Sequence, residues 1–290
     1  MDIIKDHINY KRFIIPYRVY GSGKTCLLVV NGAQMTMGAC MSLVSRYAKK
    51  YRVVIFDFPH QGGGSVLSTP YYASFDEQME CIEQVLKQVV FDSLYVFGGS
   101  WGATQVAAYA ARHPSVIDKM ILGSTAIKFN QNLVNIFLKG NAYYCNGRKD
   151  ELAALMAEGF GETTTPLALR KQIQRQFSSM PSEHLEAFYA HCHFVYDAIF
   201  EDLVDFSKIS CETLIVYGEK DDVYDLGDVL ALQDRIKGCR LSIFKGVGHF
   251  IHLENTAVMK VYDDFYQNTS PNLGKKIEYF DVSELEMSRK

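Results

Sequence analysis

The chain has 290 residues, 48% hydrophobic and 22% charged, with a formal net charge of −3. This is enough apolar material for one large core with an insertion, and the charge balance offers no basic stripe to neutralise phosphates, so no nucleic-acid partner is expected. No run reaches the roughly 18 apolar residues that cross a bilayer. Residues 1–10 also mix Asp and Lys where a signal peptide is apolar, and the seven cysteines are odd in number and scattered, so a reducing, cytoplasmic setting without a membrane span is expected.

In chain order, residues 12–20 read as extended structure turning at Gly21-Ser22-Gly23, an antiparallel hairpin at a sheet edge. Short β-rich apolar runs follow at 26–30, 52–56, 93–97, 119–122, 213–217 and 241–244, mostly separated by helical patterns. That alternation predicts an α/β fold, a mainly parallel sheet with helices on both faces. Within 74–90, Phe75, Met79, Ile82, Val85, Leu86 and Val89 fall on one helical face, and Ser74 with Glu77 forms a capping box. From 126 to 209 strand patterns give way to helical ones at 151–159, 167–177 and 182–200. Tyr143, Tyr144, Phe160, Phe177, Phe188, Tyr189, Phe194, Tyr196 and Phe200 stand in this stretch, so a helical cap with some aromatics turned toward a pocket is predicted. The division expected is a core of 1–125 with 210–267, a cap of 126–209, and a polar C-terminal tail of 268–290.

The chemistry concentrates at three loops. A strand at 94–97 runs into Gly98-Gly99-Ser100-Trp101-Gly102 and then a helical pattern, the strand-turn-helix setting in which G-x-S-x-G presents a nucleophilic serine. A serine hydroxyl needs a base, and in this arrangement the carboxylate precedes the histidine in the chain. Asp221, in the loop after the strand at 214–217, is the expected acid with Asp222 as its competitor; His249, in Gly248-His249-Phe250, is the expected base with His252 as rival. An oxyanion needs two N–H donors, assigned to Trp101, next to the serine, and Ala33 in Asn31-Gly32-Ala33-Gln34, with Gln34 as an alternative. Asn31, Gln34 and His60 are candidate substrate contacts. Gly23-Lys24-Thr25 lacks the glycine a phosphate-binding loop requires five positions earlier, where Arg18 stands, and Gly62-Gly63-Gly64 follows a strand whose loop only borders the site. His7, His113 and His184 lack motifs, and His191 with His193 brackets Cys192 without a further ligand at metal spacing, so neither metal nor cofactor is expected.

Over residues 11–267 these features resemble the α/β-hydrolase superfamily, which implies an eight-stranded sheet with a helical cap. The runs from Val29 to Thr36 and Val53 to Pro59, Ser100-Trp101-Gly102, and Gly248-His249-Phe250-Ile251-His252-Leu253-Glu254 are similar to the bacterial branch that makes the rhamnolipid lipid precursor, a 3-hydroxyacyl-ACP O-3-hydroxyacyltransferase, and to the related 3-hydroxyacyl-ACP thioesterases and transacylases. The resemblance implies acyl transfer or hydrolysis on an acyl thioester or ester through an acyl-serine. It also implies a possible acyl carrier protein partner, for which Lys171 and Arg175, one turn apart beside Arg170, are the expected docking charges. The elbow Gly98 to Thr104 is nearer that of proline iminopeptidases, whose His-Gly-Gly-Pro-Gly loop is absent, as is an acidic pair in the cap. A generic carboxylesterase is therefore the alternative, with an aminopeptidase last.

Overall fold

The computed structural model describes residues 3–159, 164–197, 200–268 and 275–287, leaving aside the side chains of 191, 193–197, 200, 201 and 287. The expectations for Phe160, Phe194, Tyr196, Phe200, His191 and His193 fall outside that description. In chain order the elements are β1 (Ile3–Tyr10), β2 (Phe13–Tyr20), β3 (Thr25–Val30), α1 (Met41–Tyr47), β4 (Arg52–Phe56), β5 (Ser65–Val66), α2 (Phe75–Leu86), β6 (Ser93–Gly99), α3 (Trp101–Arg112) and β7 (Lys119–Gly123). Five helices follow: α4 (Gln131–Cys145), α5 (Lys149–Glu158), α6 (Leu167–Ser179), α7 (Ser182–Asp197) and α8 (Phe200–Leu203). The chain then returns through β8 (Glu212–Gly218), α9 (Leu226–Arg235), β9 (Arg240–Lys245), α10 (Ile251–Glu254), α11 (Met259–Gln267), β10 (Lys276–Asp281) and α12 (Val282–Met287).

One sheet runs β1-β2-β4-β3-β6-β7-β8-β9-β10, with β5 paired to β2. From β4 to β10 every pairing is parallel, and β2 joins β4 antiparallel. Strand β3 is buried along Cys26–Val30 because both of its faces are covered, which is why it reads as a continuous apolar run. Alternate residues feed two cores: Leu28 and Val30 enter the one beneath α2 and α3, while Leu27 and Val29 enter the one beneath α1 and α11. Helix α2 starts where expected, with the Ser74 hydroxyl accepting from the Glu77 amide and the Glu77 carboxylate accepting from the Ser74 amide.

Three expectations need correction. The hairpin is β1 with β2, and it turns at Lys11-Arg12, where Lys11 takes φ 51° as the first position of a two-residue turn demands. Gly21 is glycine for another reason: with φ +76°, its absent Cβ would lie 2.2 Å from the Ala48 carbonyl oxygen, so it marks a close crossing into β3, which does not pair with β2. The sheet has ten strands, not eight. Strands β1, the two-residue β5 and β10 lie outside the extended runs read from the sequence, and β10 falls in the stretch expected to be a tail. Its alternating apolar residues were obscured by flanking charge: Ile277 and Tyr279 are largely exposed, while the Phe280 ring packs 5.6 Å from Phe244 and Glu278 pairs with Arg240 at 3.2 Å.

Because β10 covers the edge of β9, truncation after Asn268 exposes an unpaired parallel strand. The expected outcome is a thermal midpoint lower by roughly 3–8 °C, with increased aggregation on heating, measured by calorimetry and light scattering. An unchanged midpoint would show that this strand adds nothing to the sheet.

Candidate active site

Strand β6 ends at Gly99, and Ser100 turns the chain into α3 with φ 52° and ψ −121°. A side chain in that region is strained by about 1–3 kcal/mol and must be held by its surroundings. The Ser100 amide donates to the Gly123 carbonyl at 2.7 Å. The strand and helix then meet so closely that a Cβ at Gly98 would lie 2.5 Å from Val106 Cγ2, and one at Gly102 2.4 Å from the carbonyl oxygens of Val30 and Asn31. The two glycines of the motif are thus the clearance that lets Ser100 stand proud of the sheet edge.

His249 Nε2 lies 3.0 Å from Ser100 Oγ, and its Nδ1 lies 3.0 Å and 3.1 Å from the two carboxylate oxygens of Asp221. Asp221 and His249 are buried. Asp221 Oδ1 also accepts from the amides of Val223 (2.8 Å) and Tyr224 (3.2 Å), which satisfies a carboxylate removed from water. Its competitor Asp222 is exposed and makes no such contact; partial burial and the neighbouring Asp221 raise its carboxyl above the ordinary value. Two residues overlooked in the sequence hold the histidine loop. Glu254 accepts from the amides on both sides of His249, Gly248 at 2.7 Å and Phe250 at 3.0 Å, and the Ser124 hydroxyl donates to the His249 carbonyl at 2.6 Å. Glu254 closes the run Gly248 to Glu254 that carries the resemblance, but nothing in that run marks it as the carboxylate that holds the His249 loop.

His252, the rival base, makes no hydrogen bond to Ser100 among the described residues and packs edge-on to Phe97 of the second core at 5.2 Å. The residue borders the pocket, and burial pushes its pKa down to about 4.

The loop expected to supply an oxyanion donor is a turn closed by the Met35 amide donating to the Gly32 carbonyl at 3.1 Å, with Gln34 at φ 58°. The Ala33 and Gln34 amides, at its centre, have no acceptor among the described residues, and a Cβ at Gly32 would lie 3.2 Å from Ser100 Cβ, so this turn stands against the serine. Trp101 opens α3, at the end where helical amides point away from their own turn. Gln61, also overlooked, donates from Nε2 to the Gly32 carbonyl (2.7 Å) and to that of Met35. Of the candidate substrate contacts, Asn31 borders the pocket while its side chain donates to the Thr36 carbonyl at 2.8 Å and accepts from Cys40. Gln34 borders the pocket. His60 does not; its ring sits 5.0 Å from that of His184 in the cap.

Above Ser100 the core and cap line a pocket whose cap side is largely apolar, with Phe137, Met156, Ile173, Phe177, Phe188 and Cys192 among its walls. No Asp, Glu, Lys or Arg belongs to the wall among the described residues. Tyr144 and Tyr189, by contrast, stack on each other at 4.9 Å and serve to hold the cap together. Such an arrangement is able to do acyl chemistry: an imidazole in contact with a hydroxyl takes its proton as the oxygen attacks a carbonyl, the buried carboxylate steadies the imidazolium, and paired amides receive the oxyanion.

A family model described as the alpha/beta hydrolase fold matches residues 25–256. The chain is 24% identical over 259 residues to the Monoacylglycerol lipase abhd6-B of Xenopus laevis, covering 85% of this chain and 76% of that protein. It is 24% identical over 242 residues to the Probable proline iminopeptidase of Leptolyngbya boryana, covering 69% and 73%. Among solved structures it is similar to MGS-M2, an alpha/beta hydrolase enzyme from a Medee basin deep-sea metagenome library, with a TM-score of 0.79, 18% identity, and coverage of 91% of this chain and 98% of that one.

Two outcomes follow from this geometry. Glu254→Ala frees the amides around His249 and should lower kcat on an activated ester about 10-fold or more, since a misplaced catalytic group costs far more than one lost hydrogen bond; retention of full kcat would make Glu254 dispensable. His252 is neutral in the fold and has an ordinary pKa of 6.5 unfolded, so the unfolded state takes up its proton first as pH falls. The contribution of His252 to stability is complete above pH 6.5 and is lost as pH falls toward 4, amounting to about 2 kcal/mol between pH 7 and pH 5. Denaturant titrations should show that loss, and His252→Gln should remove most of the slope.

Proposed function

The chain belongs to the alpha/beta hydrolase family, and from that premise we propose that it hydrolyses carboxylic esters of apolar acyl chains through an acyl-enzyme on Ser100, with His249 as general base and Asp221 as the carboxylate that orients it. The observation that carries this reading is the 3.0 Å contact between Ser100 Oγ and His249 Nε2 at the floor of a pocket walled by apolar cap residues. The Ser100 oxygen attacks the ester carbonyl while His249 takes its proton. The oxyanion is received by the amides of Trp101 and of Ala33, with Gln34 as the alternative donor, and His249 returns the proton to the departing alcohol. Water then repeats the sequence, its proton passing to His249 and on to Ser100 Oγ as the acid leaves. The monoacylglycerol lipase relative supports an ester of a fatty acid, and the uncharged pocket wall gives a peptide amine no carboxylate to pair with, which sets the iminopeptidase reading lower.

A second reading keeps the same acyl-serine and changes the partners: the donor is an acyl thioester, on acyl carrier protein or CoA, and a 3-hydroxyacyl hydroxyl replaces water. Asn31-Gly32-Ala33 favours it, as does the largely apolar pocket, where a positioned hydroxyl competes with dilute water. Lys171 and Arg175 are exposed on α6, where an acidic carrier protein would dock.

The test is labelling with a fluorophosphonate probe followed by turnover of acyl esters, acyl-CoA and acyl-ACP of matched chain length. Ser100→Ala should abolish labelling, and Ser100→Ala and His249→Ala should each lower kcat by about three orders of magnitude or more, without adding in the double variant. Substantial turnover by Ser100→Ala overturns the covalent mechanism. Faster turnover of acyl-ACP than of any ester, with mass spectrometry showing an ester of two hydroxy acids, selects the second reading.

A further inference from the structure

The oxyanion loop has two anchors, and they come from different parts of the molecule. Gln61, on the core, holds the carbonyls of Gly32 and Met35. Gln176, on α6 of the cap, donates from Nε2 to the carbonyl of Gln34, the residue of the turn that sits at φ 58°. Gln176 shares a face of α6 with Ile173 and Phe177, which wall the acyl side of the pocket, and it borders the pocket itself. One face of one cap helix therefore touches both the space for the chain and the backbone that presents the Ala33 and Gln34 amides beside Ser100.

We infer that Gln176 is a positioning residue that couples filling of the acyl chamber to alignment of the oxyanion donors, so that acyl-chain length is read in turnover. The inference deepens the proposed ester hydrolysis and rests on it. A chain long enough to pack against Ile173 and Phe177 braces α6 on the core and keeps the Gln176 amide on the Gln34 carbonyl, which fixes the Gln34–Met35 peptide whose N–H closes the turn carrying the Ala33 and Gln34 amides. A short chain leaves α6 without that brace. Apolar burial alone would stabilise bound substrate and transition state alike and lower KM; alignment of donors to charge that develops only in the transition state raises kcat. The preferred substrates are accordingly esters of medium to long acyl chains.

The experiment compares p-nitrophenyl acetate with p-nitrophenyl decanoate on the full-length enzyme. In the wild type kcat should be higher for decanoate. Gln176→Met keeps the length of the side chain and removes the donor; it should lower kcat for decanoate about 10-fold with KM within about twofold, and lower that for acetate less. Affinity for a trifluoromethyl ketone bearing a decyl chain, whose adduct carries an oxyanion, should fall in parallel. Gln176→Glu provides a second readout. Its carboxylate cannot donate at pH 8, whereas its protonated form can, so its decanoate-to-acetate ratio of kcat should recover as the pH is lowered to 5; dividing by acetate cancels the titration of the base. A higher KM at unchanged kcat, equal losses for both esters, or a wild-type kcat that does not rise with chain length overturns the coupling. Absence of any ester turnover together with absence of fluorophosphonate labelling overturns the ester reading itself.

Discussion

The contact between the end of β6 and the start of α3 leaves no room for a side chain at Gly98 or Gly102, two residues to either side of Ser100, and much of the molecule is arranged around that clearance. Gly98 sits against Val106 and Gly102 against the carbonyls of Val30 and Asn31, so β3, β6 and α3 meet backbone to backbone. The same approach sets the first residues after β3 beside the serine, because β3 and β6 are neighbours in register, Val30 opposite Gly98. A left-handed serine and a turn carrying two unengaged amides are consequently brought together by strand pairing, without a dedicated tether between them.

The remaining parts arrive from other strands of the sheet, and their loops are fastened by buried or half-buried polar groups. Asp57 accepts from the amides of Met37 (2.7 Å) and Gly63 (3.0 Å), joining the loops after β3 and β4. Burial raises its pKa despite those two donors, the mark of a carboxylate retained in the interior for the loops it holds. Glu254 does the same for the histidine loop and Gln61 for the oxyanion turn. These groups fix the loops that carry His249 and the Ala33 and Gln34 amides, and positioning of that kind governs how well reacting atoms are aligned.

Across the pocket the cap contributes a different kind of order. Phe137, Phe177 and Phe188 pack edge to face at 5.4–5.8 Å, presenting a dry wall rather than a set of polar contacts. Selection by such a wall depends on shape and length, because no charged side chain among the described residues lines it. The substrate reading therefore rests on the cap, while the reaction class rests on the core.

That division also marks how far the sequence could be read. Apolar periodicity and the spacing of Gly98, Ser100 and Gly102 determined the α/β layering and the elbow, and chain order placed Asp221 and His249 in loops at one sheet edge, because a parallel strand ends its loop there whatever its neighbours are. Local pattern failed where a residue's partner is distant in the chain. Gly21 resembled a hairpin turn and is a crossing over Ala48, and β10 resembled a tail until β9 paired with it. Asn31 lines the pocket as expected of a substrate contact, yet its amide is engaged with Thr36 and Cys40, whereas Gln61, Ser124 and Gln176 carry no motif. Hydrogen bonds such as that from Gln176 to Gln34, 142 residues apart, are decided only when core and cap close on each other, since a single amide side chain leaves no periodic trace in sequence.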